Sequence, residues 1–132
     1  MRKGGKIGLA NWTPDGFIGQ LLKIVGKYTP PPAGLKPPTL WGTAVRLGEL
    51  FPGHEVNISE QSFTFRYRSP EHWLDVFRTY YGPTNRAFAA LDAEKAAALE
   101  ADTLDLLEKS NWGGSSSLII PGNYLEVVIT KA

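Results

Sequence analysis

The sequence predicts an α/β fold, a small three-stranded mixed sheet with helices packed on its faces. Three stretches have strand character, at residues 6–10, 55–68 and 124–131. Apolar residues at helical spacing dominate the segments between them. The third stretch is nearly continuously apolar, which is typical of a strand buried on both faces with paired neighbours, so we expect the spatial order first, last, middle. A length of 132 residues fits one domain, and we predict a single domain over residues 1–132.

The first half of the chain has the pattern strand, helix, loop, helix. Residues 6–10 alternate polar or small side chains with apolar ones, as a strand does. Thr13 then has the chemistry of a helix N-cap, and Pro14 suits the first helical position. Closely spaced prolines predict that residues 29–40 form an extended loop. After this loop, Thr43 is the expected cap of a second short helix.

The second half begins with the clearest strand pattern in the sequence. Residues 55–68 alternate with a period of two, and the side chains expected on the core face are Phe63, Phe65 and Tyr67. Ser69 followed by Pro70 predicts the start of an amphipathic helix. A weaker helical stretch covers residues 84–91, and Asp92 is the expected cap of an alanine-rich helix that follows it.

The end of the chain predicts a loop, a break and a buried strand. Glycine and serine residues at 113–117 predict a flexible surface loop. Pro121 and Gly122 are expected to interrupt the chain after the apolar residues 118–120. The last strand then occupies residues 124–131.

The composition excludes several classes of function. The formal net charge is +1, which gives no electrostatic reason to expect nucleic acid or an anionic membrane as partner. No apolar stretch approaches the length of a membrane span. The absence of cysteine removes thiolate metal sites and disulfides, and no histidine-carboxylate metal motif is present. We therefore expect a soluble, cytoplasmic protein with no bound metal.

Several longer motifs point to a known family. They are GGKIGLANWTPDGFIG at 4–19, PPPAGLKPPTLWGT at 30–43, FTFRYRSPEHW at 63–73, YYGPT at 80–84 and IPGNYLEVV at 120–128. Together they closely resemble the C-terminal half of bacterial class I S-adenosylmethionine-dependent methyltransferases. The resemblance implies that the three predicted strands correspond to the fifth, sixth and seventh strands of that family. It also implies that the seventh strand runs antiparallel between the other two.

The chain departs from this family in one large respect. The family binds its cofactor through a glycine-rich loop after the first strand and polar residues near the second and fourth strands, and none of these elements is present. No cofactor-binding residue is therefore assigned, and no cofactor is expected for this chain alone. S-adenosylmethionine is the cofactor that the resemblance implies for the full-length enzymes, which leaves open whether this chain is an enzyme.

Candidate site residues come from two regions, and no catalytic residue is assigned. The candidates for a substrate cleft are Asn11, Trp12, Thr13, Arg66, His72, Trp73, Tyr80 and Tyr81. The first three follow the end of the first strand, the edge where ligands bind in open α/β sheets. Each candidate also has a structural interpretation: a helix cap, core aromatic residues, a surface histidine, or a solvated strand face. Arg66 and Arg68 lie on a polar strand face that can hold a carboxylate or phosphate.

Three functional hypotheses follow. In the first, the chain is the substrate-side segment of a small-molecule methyltransferase and transfers no methyl group by itself. In the second, it is an independent module that binds a small ligand or protein and forms a homo-oligomer through the exposed edge of its first strand, because open strand edges pair with other chains. In the third, a cofactor-binding partner chain completes the enzyme.

Overall fold

The computed structural model describes residues 2–132, and within them it contains three strands, five α-helices and one short 3-10 helix. The strands are β1 (Lys6–Trp12), β2 (Glu55–Tyr67) and β3 (Leu118–Thr130). The α-helices are α1 (Phe17–Tyr28), α2 (Ala44–Leu50), α3 (Pro70–Tyr80), α4 (Gly82–Ala90) and α5 (Ala93–Ser110), and the 3-10 helix spans Pro38–Gly42. The α/β class is therefore confirmed.

The three strands form one sheet in the order β1-β3-β2, as the apolar character of the last strand predicts. The description of the sheet as mixed is wrong, because the sheet is antiparallel. β3 runs antiparallel to β1, with Lys6 opposite Thr130 and Trp12 opposite Tyr124. A central strand that is antiparallel to both neighbours leaves no parallel pair in the sheet.

Two strands are longer than their sequence patterns indicate. β1 continues through Trp12, so Asn11 and Trp12 belong to the strand instead of following it. β3 is continuous from Leu118, and Pro121 does not interrupt it. The hydrogen-bond ladder between β1 and β3 ends at Asn123, whose carbonyl accepts from Thr13 N–H. Pro121 lies beyond this end, so β1 needs no backbone N–H group from it.

The residues of β3 are buried alternately, which corrects the expectation of a strand buried on both faces. The even-numbered residues Leu118, Ile120 and Gly122 are buried in the first part of the strand. From Leu125 onward the buried residues are the odd-numbered ones. The change occurs where the pairing with β1 begins. The apolar run therefore reflects two successive buried sets, not two fully covered faces.

The predicted helix caps agree with the structure except at the first helix. The hydroxyl groups of Thr43 and Ser69 and the carboxylate of Asp92 each accept from a backbone N–H in the first turn of α2, α3 and α5. Thr13 accepts from Gly16 N–H, but α1 begins only at Phe17. Thr13 therefore closes the turn that precedes the helix.

The contacts divide the described residues into two compact units, each with its own core. The first comprises residues 2–19, 36–63 and 122–132, and the second comprises residues 20–35 and 64–121. The core of the first unit is formed by Leu47, Leu125, Val127 and Ile129 with Ile7, Leu9, Phe51 and Val56 packed against it. Buried residues of the second unit include Phe65, Trp73, Leu74, Phe77, Leu99, Thr103, Leu106 and Leu107. The last four lie at helical spacing on one face of α5.

Candidate functional site

The end of β1 presents two candidate side chains on opposite faces of the sheet. Asn11 shares a face with Leu9, which packs against the core of the first unit. Its Nδ2 atom is buried and has no hydrogen-bond partner among residues 2–132. Trp12 lies on the other face, where its ring meets that of Tyr124 edge to face at a centroid distance of 5.9 Å. Of these two side chains, only Trp12 therefore lies on the face of the sheet opposite the core of the first unit.

Thr13 has a structural role at this end of the strand. Its hydroxyl accepts from Gly16 N–H and donates to the carbonyl of Asn123, each at 3.2 Å. A Cβ atom on Gly16 would lie 2.7 Å from the Thr13 hydroxyl oxygen. The turn after β1 therefore needs glycine at this position, and Thr13 joins it to β3.

An apolar pocket of about 330 Å³ adjoins Trp12. It is lined by Ala10, Trp12, Phe63 and Tyr124, all in the first unit. Phe63 was expected in the core, but 53% of its surface is exposed. The pocket has no charged lining residue, so its chemistry suits an aromatic or aliphatic group.

The second unit contains a larger cleft with a different character. Its volume is about 650 Å³, and it is lined by Arg66, Tyr67, Arg68, His72, Ser116, Ser117, Leu118 and Ile119. This set combines two arginines, a histidine and two serines with apolar residues. We call it the basic cleft.

His72 is held in one orientation within the basic cleft. Its Nδ1 atom accepts from the backbone N–H of Arg68 at 3.2 Å, and its ring contacts Tyr67 edge to face at 5.4 Å. In the neutral imidazole the proton therefore lies on Nε2, which remains a donor. The position at the first turn of α3 follows from the Ser69 cap.

A single asparagine holds the serine-rich loop that forms one wall of the cleft. Asn111 Nδ2 donates to the carbonyls of Gly114 and Ser117, and Oδ1 accepts from the N–H groups of Gly113 and Ile119, all at 2.8–2.9 Å. All four hydrogen-bonding positions of the amide are occupied. This side chain takes the place of backbone pairing across the loop, and the flexibility of the loop stays a prediction.

The remaining candidates are divided between core and surface. Trp73 is fully buried and stacks on Phe77 at 3.7 Å between ring centroids, so it is a core residue. Tyr80 is 82% exposed. Tyr81 contacts Phe77, and burial raises the pKa of its hydroxyl. The interpretation as core aromatic residues is therefore correct for Trp73 and wrong for Tyr80.

The structure thus groups Arg66 with His72 and leaves the other predicted residues elsewhere. Ser116 and Ser117 were missed, because serines in a glycine-rich segment carry no signal beyond that of a loop. Phe63 and Tyr124 were assigned to strands but not to a pocket, since no local pattern shows which strand faces lack a cover. Residues 2–132 contain no cluster of three or more side chains suited to a metal ion. None of the helices in that range has the length and hydrophobicity of a membrane span.

Comparison with known proteins finds relatives in mycobacteria. The chain is 35% identical over 111 residues to one uncharacterized protein of Mycobacterium tuberculosis, and 30% identical over 105 residues to a second. An uncharacterized protein of Mycobacterium bovis matches with the same 35% identity. The alignments cover 80% and 76% of this chain, and the chain spans about 40% of the length of these relatives. No protein-family model matches the chain.

Proposed function

We propose that this chain corresponds to the C-terminal, substrate-side segment of an S-adenosylmethionine-dependent methyltransferase and transfers no methyl group by itself. The supporting observation is the strand order, with β3 antiparallel to its neighbours and central in the sheet. This is the arrangement that the sequence resemblance implies for the last three strands of that family. The relatives are more than twice as long as the region that matches, which leaves room for a cofactor-binding half.

The apolar pocket beside β1 supports a substrate-side assignment. Trp12 and Tyr124 place two aromatic rings at the end of β1 where ligands bind in open α/β sheets. The buried Asn11 amide lies on the opposite face of the sheet and does not line this pocket. A small molecule with an aromatic or aliphatic body suits this pocket. The absence of cysteine from the sequence fits a cytoplasmic location, which we include in the proposal.

Calorimetric titration with S-adenosylmethionine and S-adenosylhomocysteine tests the proposal. The full-length Mycobacterium tuberculosis relative that is 35% identical should bind both compounds saturably, whereas the 132-residue chain should give no binding heat. Failure of the relative to bind either compound would refute the methyltransferase assignment. Saturable binding by the short chain would show instead that it contains, or rebuilds by association, a cofactor site of its own.

A second candidate function is a homo-oligomeric binding module, and the open edge of β1 favours it. Thr13 N–H donates to Asn123 O at the end of the ladder, so the odd-numbered residues of β1 bond to β3. The N–H and C=O groups of Lys6, Gly8 and Ala10 therefore face the other side, where residues 2–132 supply no paired strand. An edge of this kind accepts a strand from another chain. The same edge suits a partner chain that carries the cofactor-binding half.

The far end of this edge is already covered. Gly42, at the end of the 3-10 helix, packs so closely on the carbonyl of Trp12 that a Cβ atom there would overlap it. This contact limits the open edge to the first part of β1. We therefore propose pairing through residues 6–10 and not through Trp12.

A proline at Gly8 tests this pairing. Gly8→Pro removes an outward N–H group and leaves the bonds between β1 and β3 intact, while Gly8→Ala fills open space and keeps the donor. By light scattering at micromolar concentration, the wild-type chain and Gly8→Ala should be oligomeric and Gly8→Pro monomeric. A monodisperse wild-type monomer contradicts the oligomer, and an oligomeric Gly8→Pro variant excludes this edge.

A further inference from the structure

We infer that the basic cleft is a binding site for the oxyanion group, carboxylate or phosphate, of a small organic molecule. The inference does not depend on the proposed methyltransferase ancestry, because every residue involved lies in the second unit. It rests on the charge of the lining, the orientation of its donors and the size of the cavity.

The charge of the cleft is uncompensated. Arg66 and Arg68 both line it, and no carboxylate is among its lining residues. Within residues 2–132, neither arginine has an ion-pair partner, whereas Arg78 in the same unit is paired with Glu100 at 3.4 Å. Guanidinium groups bind carboxylate and phosphate through two parallel hydrogen bonds, so the unpaired arginines suit such a ligand.

Neutral donors add to the two arginines. His72 accepts at Nδ1 from Arg68 N–H, which leaves Nε2–H to donate. Ser116 is exposed and lines the cleft, and Ser117 lies beside it with its own hydroxyl donating to the carbonyl of Gly113. The Ser117 hydroxyl uses its one proton in that bond, so its oxygen is not a donor for a ligand. An oxyanion has enough acceptor sites for the donors that remain, which are the two guanidinium groups, His72 Nε2–H and the Ser116 hydroxyl.

The walls of the cleft are fixed before a ligand arrives. Arg66 belongs to β2, and the backbone of Arg68 is bonded to the His72 ring. The Asn111 amide holds the serine loop with four hydrogen bonds. Only the two arginine side chains must be ordered on binding, which limits the entropy cost.

The remaining surface suits an organic body attached to the anion. Tyr67, Leu118 and Ile119 contribute apolar surface to this open cleft, whose volume is about 650 Å³. A neighbouring cavity of about 410 Å³ contains Glu71 and Glu108 together with Arg68. Neither carboxylate forms an ion pair with Arg68 within residues 2–132.

NMR titration of the 132-residue chain with phenyl phosphate, benzoate and benzyl alcohol at low ionic strength tests the inference. We expect saturable shifts of the backbone amides at residues 66–72 and 115–119 with phenyl phosphate, benzoate or both, and none with benzyl alcohol. The anion that binds with the higher affinity identifies the ligand group as a phosphate or a carboxylate. Equal binding of benzyl alcohol, or no saturable shift with either anion, overturns the inference.

Matched charge variants locate the site. Arg66→Gln and Arg68→Gln should each weaken anion binding by about tenfold, since each removes a charge-assisted bidentate contact. Arg86→Gln removes an exposed arginine of the same unit that does not line the cleft, and it should change the affinity by less than about twofold. Equal effects of all three variants would mean that the anion responds only to net charge, which contradicts a built site. Amide spectra of each variant confirm that it is folded.

Discussion

The loop at residues 113–117 depends on one side chain, so we predict that Asn111→Ala destabilises the protein strongly for a half-buried polar residue. The amide makes four hydrogen bonds to backbone groups in and beside the loop, with donor–acceptor distances of 2.8–2.9 Å. Alanine removes all of them and leaves the N–H groups of Gly113 and Ile119 without their acceptor. The change acts on local structure, because the loop lies between α5 and β3 and contains no helix or strand of its own.

The magnitude follows from the number of bonds. A protein hydrogen bond contributes a net 0.5–1.5 kcal/mol or so, and unsatisfied buried groups cost somewhat more. Water can replace the bonds on the exposed side of the loop. We therefore expect the free energy of unfolding to fall by about 2–4 kcal/mol.

Urea unfolding followed by circular dichroism measures this change. Asn57→Ala is the matched control, because Asn57 is exposed and its amide donates to the Glu55 carboxylate on the same strand. That variant should change the free energy of unfolding by less than about 0.5 kcal/mol. An Asn111→Ala variant as stable as the control would refute the assignment of the loop to this side chain.

Three further predictions address packing and charge. Gly42→Ala should lower the free energy of unfolding by about 1–3 kcal/mol in urea, because its methyl group overlaps the Trp12 carbonyl. Gly48→Ala, in α2 with open space around its Cβ position, should raise the same quantity by about 0.5–1 kcal/mol; a loss of stability there contradicts the helix. The hydrogen bond from Lys95 N–H lowers the pKa of the Asp92 carboxyl below its usual 3.8. Because this pKa is lower in the folded than in the unfolded state, the Asp92 carboxylate stabilises the fold at pH values above its unfolded-state pKa. This stabilisation is lost as the pH falls through the folded-state pKa. Asp92→Asn should therefore reduce the acid dependence of the thermal midpoint below about pH 4. An unchanged acid dependence would contradict this role.

Local patterns in the sequence determined most of the elements of this protein. The alternation around Phe65 and the caps at Thr43, Ser69 and Asp92 depend on neighbours within a few residues, so they predict β2, α2, α3 and α5 correctly. The prediction from the apolar last strand that it is central was correct, although its apolar run reflects two successive buried sets and not two covered faces. Arg66 and His72 were candidates on the basis of residue type and position in the chain.

Only the tertiary structure decided where strands end and which side chains share a site. Trp12 belongs to β1 because Tyr124 lies opposite it, and Pro121 remains in β3 because no ladder bond to β1 is needed at that point. Both facts depend on residues more than 100 positions away or on the extent of pairing, which local propensity does not contain. The basic cleft likewise requires Ser116, from the end of one loop, to meet Arg66 of β2. The sequence by itself determined the residues that carry the charge, and the packing of distant segments determined that they line one open cleft.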